Sequence, residues 1–171
     1  MTTSLLPTRP SADRDRHQPP PRALACDARS LRGSAGRSDR PATWAALERA
    51  RTGGLRVGLV YDRWPSGTEL GAAAERGDVI VVPQPHERTA GRDDEVRPSF
   101  VTRVCDELGV APTDCVVVGG RRALLAAAAW AGARTVMVPD DATPLFDLRG
   151  QRLAPDIVAA VDAVLAERGV R

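Results

Sequence analysis

The sequence contains no lysine: all 24 of its basic residues are arginine, set against 22 acidic residues. The formal net charge of +2 is too small to indicate nucleic acid as a partner by itself. The arginine excess lies in residues 1–60, which hold 11 arginines and 5 acids. No basic helix, aromatic platform or zinc-finger spacing accompanies it, so the pattern does not favour a nucleic-acid partner. Aromatic residues make up only 4% of the chain, which leaves the core to aliphatic side chains.

Long apolar runs are also absent. The longest, Ala123–Ala131, is about half the length of a membrane span, and Met1–Pro10 lacks the apolar segment of a signal peptide. The three cysteines are odd in number, form no C-x-x-C pair and lie in apolar surroundings; they are Cys26, Cys105 and Cys115. That usage is typical of buried free thiols in a reducing compartment. We therefore expect a cytoplasmic protein with no membrane partner.

Two regions differ in composition. Residues 1–22 are rich in Pro, Arg, Asp and Ser, and we predict a disordered tail. Residues 23–171 alternate short apolar runs with amphipathic segments, a pattern that indicates one α/β domain with a parallel sheet covered on both faces. The predicted strands are 23–26, 56–61, 78–82, 115–118 and 134–138, and the predicted helices are 41–51, 69–76, 99–108, 121–131 and 155–168. Residues 83–96 are predicted to be a polar loop.

Ligands of such folds bind at the carboxyl ends of the strands. In this sequence those ends are Asp27, Tyr61–Asp62, Pro83, Gly119–Gly120 and Pro139–Asp140. We therefore expect a functional site to draw on these positions.

The stretch 97–120 reads R-P-S-F-V-T-R-V-C-D-E-L-G-V-A-P-T-D-C-V-V-V-G-G, and an alanine-rich helix and A-G-A-R-T-V follow. In order and spacing it resembles the haloacid dehalogenase-like (HAD) phosphohydrolases over about forty residues. The upstream segment W-A-A-L-E-R-A-R-T-G-G-L-R-V-G-L-V resembles the helix and strand that lead to their second motif. The resemblance implies a Rossmann-like three-layer sandwich with a minimal cap or none. Its five parallel strands, counted along the chain, should lie in the order 5-4-1-2-3.

The resemblance also assigns catalytic positions. Asp27 matches the family's nucleophile, but Arg29 stands where a second Asp acts as general acid and base. Arg97 matches a lysine that shields charge between phosphate and nucleophile. From the residues alone, Asp27 is equally open to a role as a loop cap, and Arg97 to one as a surface charge at a helix start.

The other two motifs are replaced. Tyr61 and Asp62 stand where the family has a phosphate-binding Ser or Thr followed by Asn. Gly120 and Leu124 stand where it has magnesium-binding carboxylates, and neither side chain offers an oxygen ligand. We therefore expect no metal or other cofactor, and the two histidines, His17 and His86, lack the spacing of a zinc site.

The turn G-G-R-R, from Gly119 to Arg122, joins a strand end to a helix start, where free amides favour anions. With Arg29 and Arg97 nearby, the lost cation site is predicted to bind a phosphate-like anion through Tyr61–Asp62 and Gly119–Arg122. Sequence drift after loss of catalysis is the alternative explanation.

Three functional hypotheses follow. The first is a HAD-like non-catalytic module that binds a small anion or a protein partner, for which the acidic run Asp93–Glu95 is a candidate contact. The second is a divergent hydrolase that retains weak or altered phosphatase-like activity through Asp27 with magnesium. The third is a nucleic-acid accessory protein with a basic tail, which the sequence does not favour.

Overall fold

A computed structural model of the chain describes residues 19–32, 40–89, 92–139 and 152–169. In chain order, the strands and helices are β1 (Ala23–Asp27), α1 (Arg40–Thr52), β2 (Arg56–Val60), α2 (Gly67–Glu75), β3 (Val79–Val81), β4 (Arg88–Thr89), β5 (Arg92–Val96), α3 (Pro98–Glu107), β6 (Cys115–Gly119), α4 (Arg122–Trp130), β7 (Arg134–Met137) and α5 (Ile157–Glu167).

Five strands form a parallel sheet in the order β3-β2-β1-β6-β7. Read from the other edge, this is the predicted order 5-4-1-2-3, and the prediction is confirmed. All five residues of β1 are buried, and β1 pairs with β2 on one side and β6 on the other. Such a short strand is stable at the centre of the sheet because both neighbours satisfy its backbone.

Apolar helix faces cover both sides of the sheet. On one side α1 and α5 pack against alternate strand residues such as Leu24 and Leu59. On the other side α3 and α4 pack against Ala25, Val60 and Val117. The result is the predicted three-layer sandwich, and it places the carboxyl ends of the strands along one edge.

The polar loop predicted for residues 83–96 is wrong in part. The segment forms a 3-10 turn, Pro85–Glu87, and a two-stranded antiparallel ribbon of β4 and β5 that includes Asp93–Glu95. The carboxylate of Glu87 is buried and accepts two hydrogen bonds of 2.7 Å from the Arg103 guanidinium. A buried ion pair of this kind leaves no apolar signal in the sequence, because both partners are charged.

The predicted tail falls largely outside the described residues, which begin at Pro19. The end of the tail contacts the domain: the Arg22 N–H donates to the Asp114 carbonyl at 2.8 Å, and the Arg22 carbonyl accepts from the Arg56 N–H at 3.0 Å. In addition, Arg134 Nη2 donates to the Pro19 carbonyl at 2.8 Å. Across the part of the chain that the structure describes, no helix combines the length and apolarity needed to cross a membrane.

Candidate functional site

Asp27 ends β1 with its side chain fully buried. Its Oδ1 accepts a hydrogen bond of 3.1 Å from the backbone N–H of Arg29, and its Oδ2 accepts one of 2.8 Å from Nε of Arg121. The Arg121 side chain is only 11% exposed. A buried carboxylate requires such a partner, and here an arginine supplies it.

Two glycines shape the floor of the site. A Cβ at Gly119 would lie 2.4 Å from Cβ of Asp27, so only glycine allows β6 to approach the Asp27 side chain this closely. The N–H of Gly120 donates to Oγ of Ser30 at 2.8 Å. This hydrogen bond ties the turn after β1 to the turn after β6.

A second ion pair lies nearer to solvent. Nε of Arg29 donates to Oδ2 of Asp62 at 2.9 Å, and Nη2 of Arg29 contacts the same oxygen. Burial by itself raises the pKa of Asp62, but the hydrogen bond and charge of Arg29, with the charge of Arg121, hold that pKa below its ordinary value. Nη2 of Arg88 donates to the Asp62 backbone carbonyl, so the β4–β5 ribbon contacts the same turn.

The structure therefore brings together Asp27, Arg29, Asp62, Gly119, Gly120 and Arg121. The other predicted residues have different surroundings. Tyr61 is buried in the core on the α1–α5 side. Arg97 precedes α3, is exposed and, among described residues, makes no side-chain ion pair; its N–H donates to the Glu87 carbonyl at 2.7 Å. Arg122 is exposed at the first position of α4.

Sequence reasoning missed Ser30 and Arg88. Ser30 follows Asp27 by three residues in a turn, a position where a hydroxyl commonly binds nearby backbone, and this signal was available. Arg88 left no signal, because its contact is to a backbone carbonyl that any residue type provides.

The residues present do not fit a magnesium ion. Magnesium needs several oxygen ligands in octahedral geometry. Oδ2 of Asp27 already accepts from Arg121, Gly120 has no side chain, and Leu124 is buried in the core with 1% of its surface exposed. In the described ranges, no three His, Cys, Asp or Glu side chains are grouped so that they could hold a metal ion.

The thiol next to Asp27 is inert. Burial, and then the negative charge of Asp27, raise the pKa of Cys26 to about 12, although Arg51 acts in the opposite direction. A thiol with such a pKa is not a nucleophile at neutral pH. Cys26, Cys105 and Cys115 are all buried and free, which confirms the prediction for the cysteines.

Sheet order, layers and strand-end turns define a haloacid dehalogenase-like α/β fold, as the sequence predicted. Solved structures with this fold include a hypothetical protein from Xanthomonas campestris (TM-score 0.62, 18% identity, 87% of this chain and 84% of that one). A cobalt-bound deoxy-D-mannose-octulosonate 8-phosphate phosphatase from Haemophilus influenzae has a TM-score of 0.62 and 11% identity, over 87% of this chain and 90% of that one. The D,D-heptose 1,7-bisphosphate phosphatase of B. bronchiseptica, complexed with magnesium and phosphate, has a TM-score of 0.59 and 18% identity, over 85% and 99%.

Comparison with protein-family models gives no match, and no curated protein matches the chain. The structural similarities, at identities of 18% or less, establish the fold and leave the chemistry to be argued from this chain's own residues.

Proposed function

We propose that this protein is a non-catalytic HAD-fold module that binds a small phosphate-like anion or a protein partner. The observation that carries the proposal is the ion pair between Asp27 and Arg121, 2.8 Å long and buried on both sides. A carboxylate paired with a fixed arginine is a weaker nucleophile, because the ion pair stabilises the negative charge that would attack phosphorus.

The residues that replace the general acid and the metal ligands also support a non-catalytic role. Loss of a general acid or base typically costs about 10²–10⁴ in rate, and Arg29 stands in that place. Loss of a bound metal removes several kcal/mol of transition-state stabilisation. Both losses fall on the same reaction, so a protein with this site is expected to hydrolyse phosphate esters poorly.

An anionic ligand fits the charges at this edge of the sheet. The turn after β6 carries two adjacent arginines, Arg121 and Arg122, and leads into α4, whose first amides favour negative charge. Asp27 and Asp62 oppose such a ligand, but each is paired with an arginine, Arg121 and Arg29 respectively. The cytoplasm is the proposed compartment, because three free thiols persist best in a reducing environment.

Titration of inorganic phosphate into the metal-free protein, by calorimetry or NMR, tests the anion site. Charge-assisted hydrogen bonds contribute about 1.5–3 kcal/mol each, so two or three predict millimolar to micromolar binding. Changing Arg121 and Arg122 to Ala together should abolish it, and Arg122→Ala alone, which keeps the Asp27 pair, should weaken it. Arg49→Ala is the matched control, since Arg49 is a half-exposed arginine on α1 that pairs with Asp162 on α5. Absence of binding at tens of millimolar, or binding indifferent to both arginine changes, contradicts the anion site.

One observation favours a divergent hydrolase as the second candidate: Asp27 is kept at the carboxyl end of the central strand β1. Such an enzyme would use Asp27 as nucleophile with magnesium. Hydrolysis of p-nitrophenyl phosphate that requires magnesium and is lost in Asp27→Asn would establish this alternative. We expect no such activity above background.

A further inference from the structure

The two ion pairs at the strand ends differ in depth. The Asp27 and Arg121 side chains are 0% and 11% exposed, whereas those of Asp62 and Arg29 are 22% and 52% exposed. The charge of Arg121 acts on both acids, so the four groups form one cluster with an inner and an outer pair. Only the outer arginine presents much of its side chain to solvent.

This difference decides which pair a ligand from solution can open. Opening the inner pair would leave a fully buried carboxylate without its arginine, which is strongly unfavourable. The outer pair is close to solvent, where ion pairs contribute little to stability and either partner can be hydrated once released. An external anion can therefore replace Asp62 on Arg29 at low cost.

The geometry of Asp62 allows such an exchange. The two contacts of Arg29 with the Asp62 carboxylate both go to the single oxygen Oδ2, so this guanidinium and this carboxylate are not paired in the parallel two-bond arrangement. The Asp62 backbone carbonyl is held by Arg88, so the turn stays in place while the side chain swings away. A tetrahedral oxyanion offers Arg29 two oxygens at once, which suits a planar guanidinium.

We propose that Asp62 is an internal competitor for the anion site, and that a phosphate-like oxyanion binds by displacing the Asp62 carboxylate from Arg29. This inference rests on the proposed anion-binding function and adds to it a residue that sets affinity. Asp62 raises the ligand concentration needed for binding, because it occupies the guanidinium of Arg29 when no ligand is present.

The test compares phosphate affinity in the wild-type protein and Asp62→Asn, which keeps the size of the side chain and removes its charge. Since an exposed pair is worth at most a factor of about five, we expect Asp62→Asn to bind phosphate roughly two- to fivefold more tightly. Adding Arg29→Ala to Asp62→Asn should remove the gain. Asp162→Asn is the matched control, because Asp162 belongs to a half-exposed ion pair with Arg49 away from the site, and its affinity should equal that of the wild type.

The outcomes separate this inference from the proposed function. Binding that Asp62→Asn does not strengthen, while Arg122→Ala still weakens it, overturns the competitor and leaves the anion site. Phosphate binding that is seen in Asp62→Asn but not in the wild-type protein supports the proposal that Asp62 competes with the anion for Arg29. No binding in either protein overturns both. Asp62→Ser is the second variant, so that a folding defect in one does not decide the result. Phosphoserine that binds more tightly than inorganic phosphate would identify a phosphorylated molecule, rather than the free anion, as the ligand.

Discussion

Asp27 and Glu87 are buried carboxylates that are each held by an arginine, but their hydrogen bonding differs. Glu87 accepts two hydrogen bonds from Arg103 and a third, of 2.7 Å, from the Gln84 N–H. The hydrogen bond from Arg103 is the main reason that the pKa of Glu87 lies below its ordinary value. Asp27 accepts one hydrogen bond from Arg121 and a second, of 3.1 Å, from the Arg29 N–H. Nη2 of Arg121 is buried with no hydrogen-bond partner in the described part of the chain.

The contrast bears on the proposed function, which assigns a ligand to the Asp27 pair and only a structural role to the Glu87 pair. Native proteins rarely leave a buried polar atom unsatisfied, and a bound water or ion is one explanation where they do. Among the described residues, Nη2 of Arg121 is one of several such atoms, and the others belong to Arg51, Asp78, Arg134 and Arg168. The Glu87 pair is complete and fastens the β4–β5 ribbon to α3. The Asp27 pair is incomplete, and it lies where ligands of this fold class bind.

Breaking either ion pair should give the largest losses of stability. The size of each loss should depend on how well the charged partner that remains can be hydrated. Arg121→Met leaves the fully buried Asp27 without its arginine, so we expect a loss of about 3–5 kcal/mol in the free energy of unfolding. Glu87→Ala leaves Arg103, which is 32% exposed and can be partly hydrated, so we expect a smaller loss of about 2–3 kcal/mol. Urea denaturation measures both. Asp106→Ala, an exposed change on α3, serves as the control, and an equal loss for the two pairs would remove the distinction between them.

The close approach of β6 to Asp27 gives the next effect. Gly119→Ala places a methyl group against the Asp27 side chain, and we expect about 1–3 kcal/mol of destabilisation from overpacking. The matched control is Gly71→Ala in α2, where a Cβ has nothing within 4 Å; there alanine should stabilise the helix by about 0.5–1 kcal/mol. Stabilisation by both changes, in the same denaturation experiment, would mean that Asp27 is not packed against β6.

The outer pair should give the smallest effect on stability. The pKa of Asp62 is lowered in the folded protein, so its contribution is present above the unfolded pKa of about 4 and is lost as the pH falls through the folded value. Because the pair is near solvent, Asp62→Asn should cost less than about 1 kcal/mol at pH 7. Denaturation curves of the wild-type protein and the variant should converge as the pH falls from about 4 through the lowered pKa of Asp62. A difference that persists unchanged in acid would assign the effect to packing rather than charge.

Most of the fold could be predicted because its signals are local. Continuous apolar runs such as Cys115–Val118 mark buried parallel strands. The strand order was implied by the resemblance of the stretch beginning at Arg97 to the HAD phosphohydrolases. The ribbon at residues 92–96 could not be predicted, because its strand β5 is a run of mostly charged residues with no apolar alternation.

The location of the site could be predicted from the sequence, but the pairing of its charged side chains could not. Asp27, Asp62 and Gly120 follow strands, so parallel topology alone brings them to one edge. Which arginine pairs with which acid depends on side-chain directions that a single sequence does not contain. Arg29 and Arg121 were both expected to face a ligand, whereas the structure gives each of them a carboxylate of this chain.

Thermal unfolding in EDTA and in millimolar magnesium tests the central claim most directly, namely that arginines have taken over the place of the metal. A ligand that does not bind the folded state cannot raise its stability, so we predict the same melting temperature in both conditions. Magnesium bound at ten times its dissociation constant would instead add about 1.4 kcal/mol and raise the melting temperature by about 3–6 °C. Such a rise, abolished by Asp27→Asn, would contradict the account and restore a metal-dependent site.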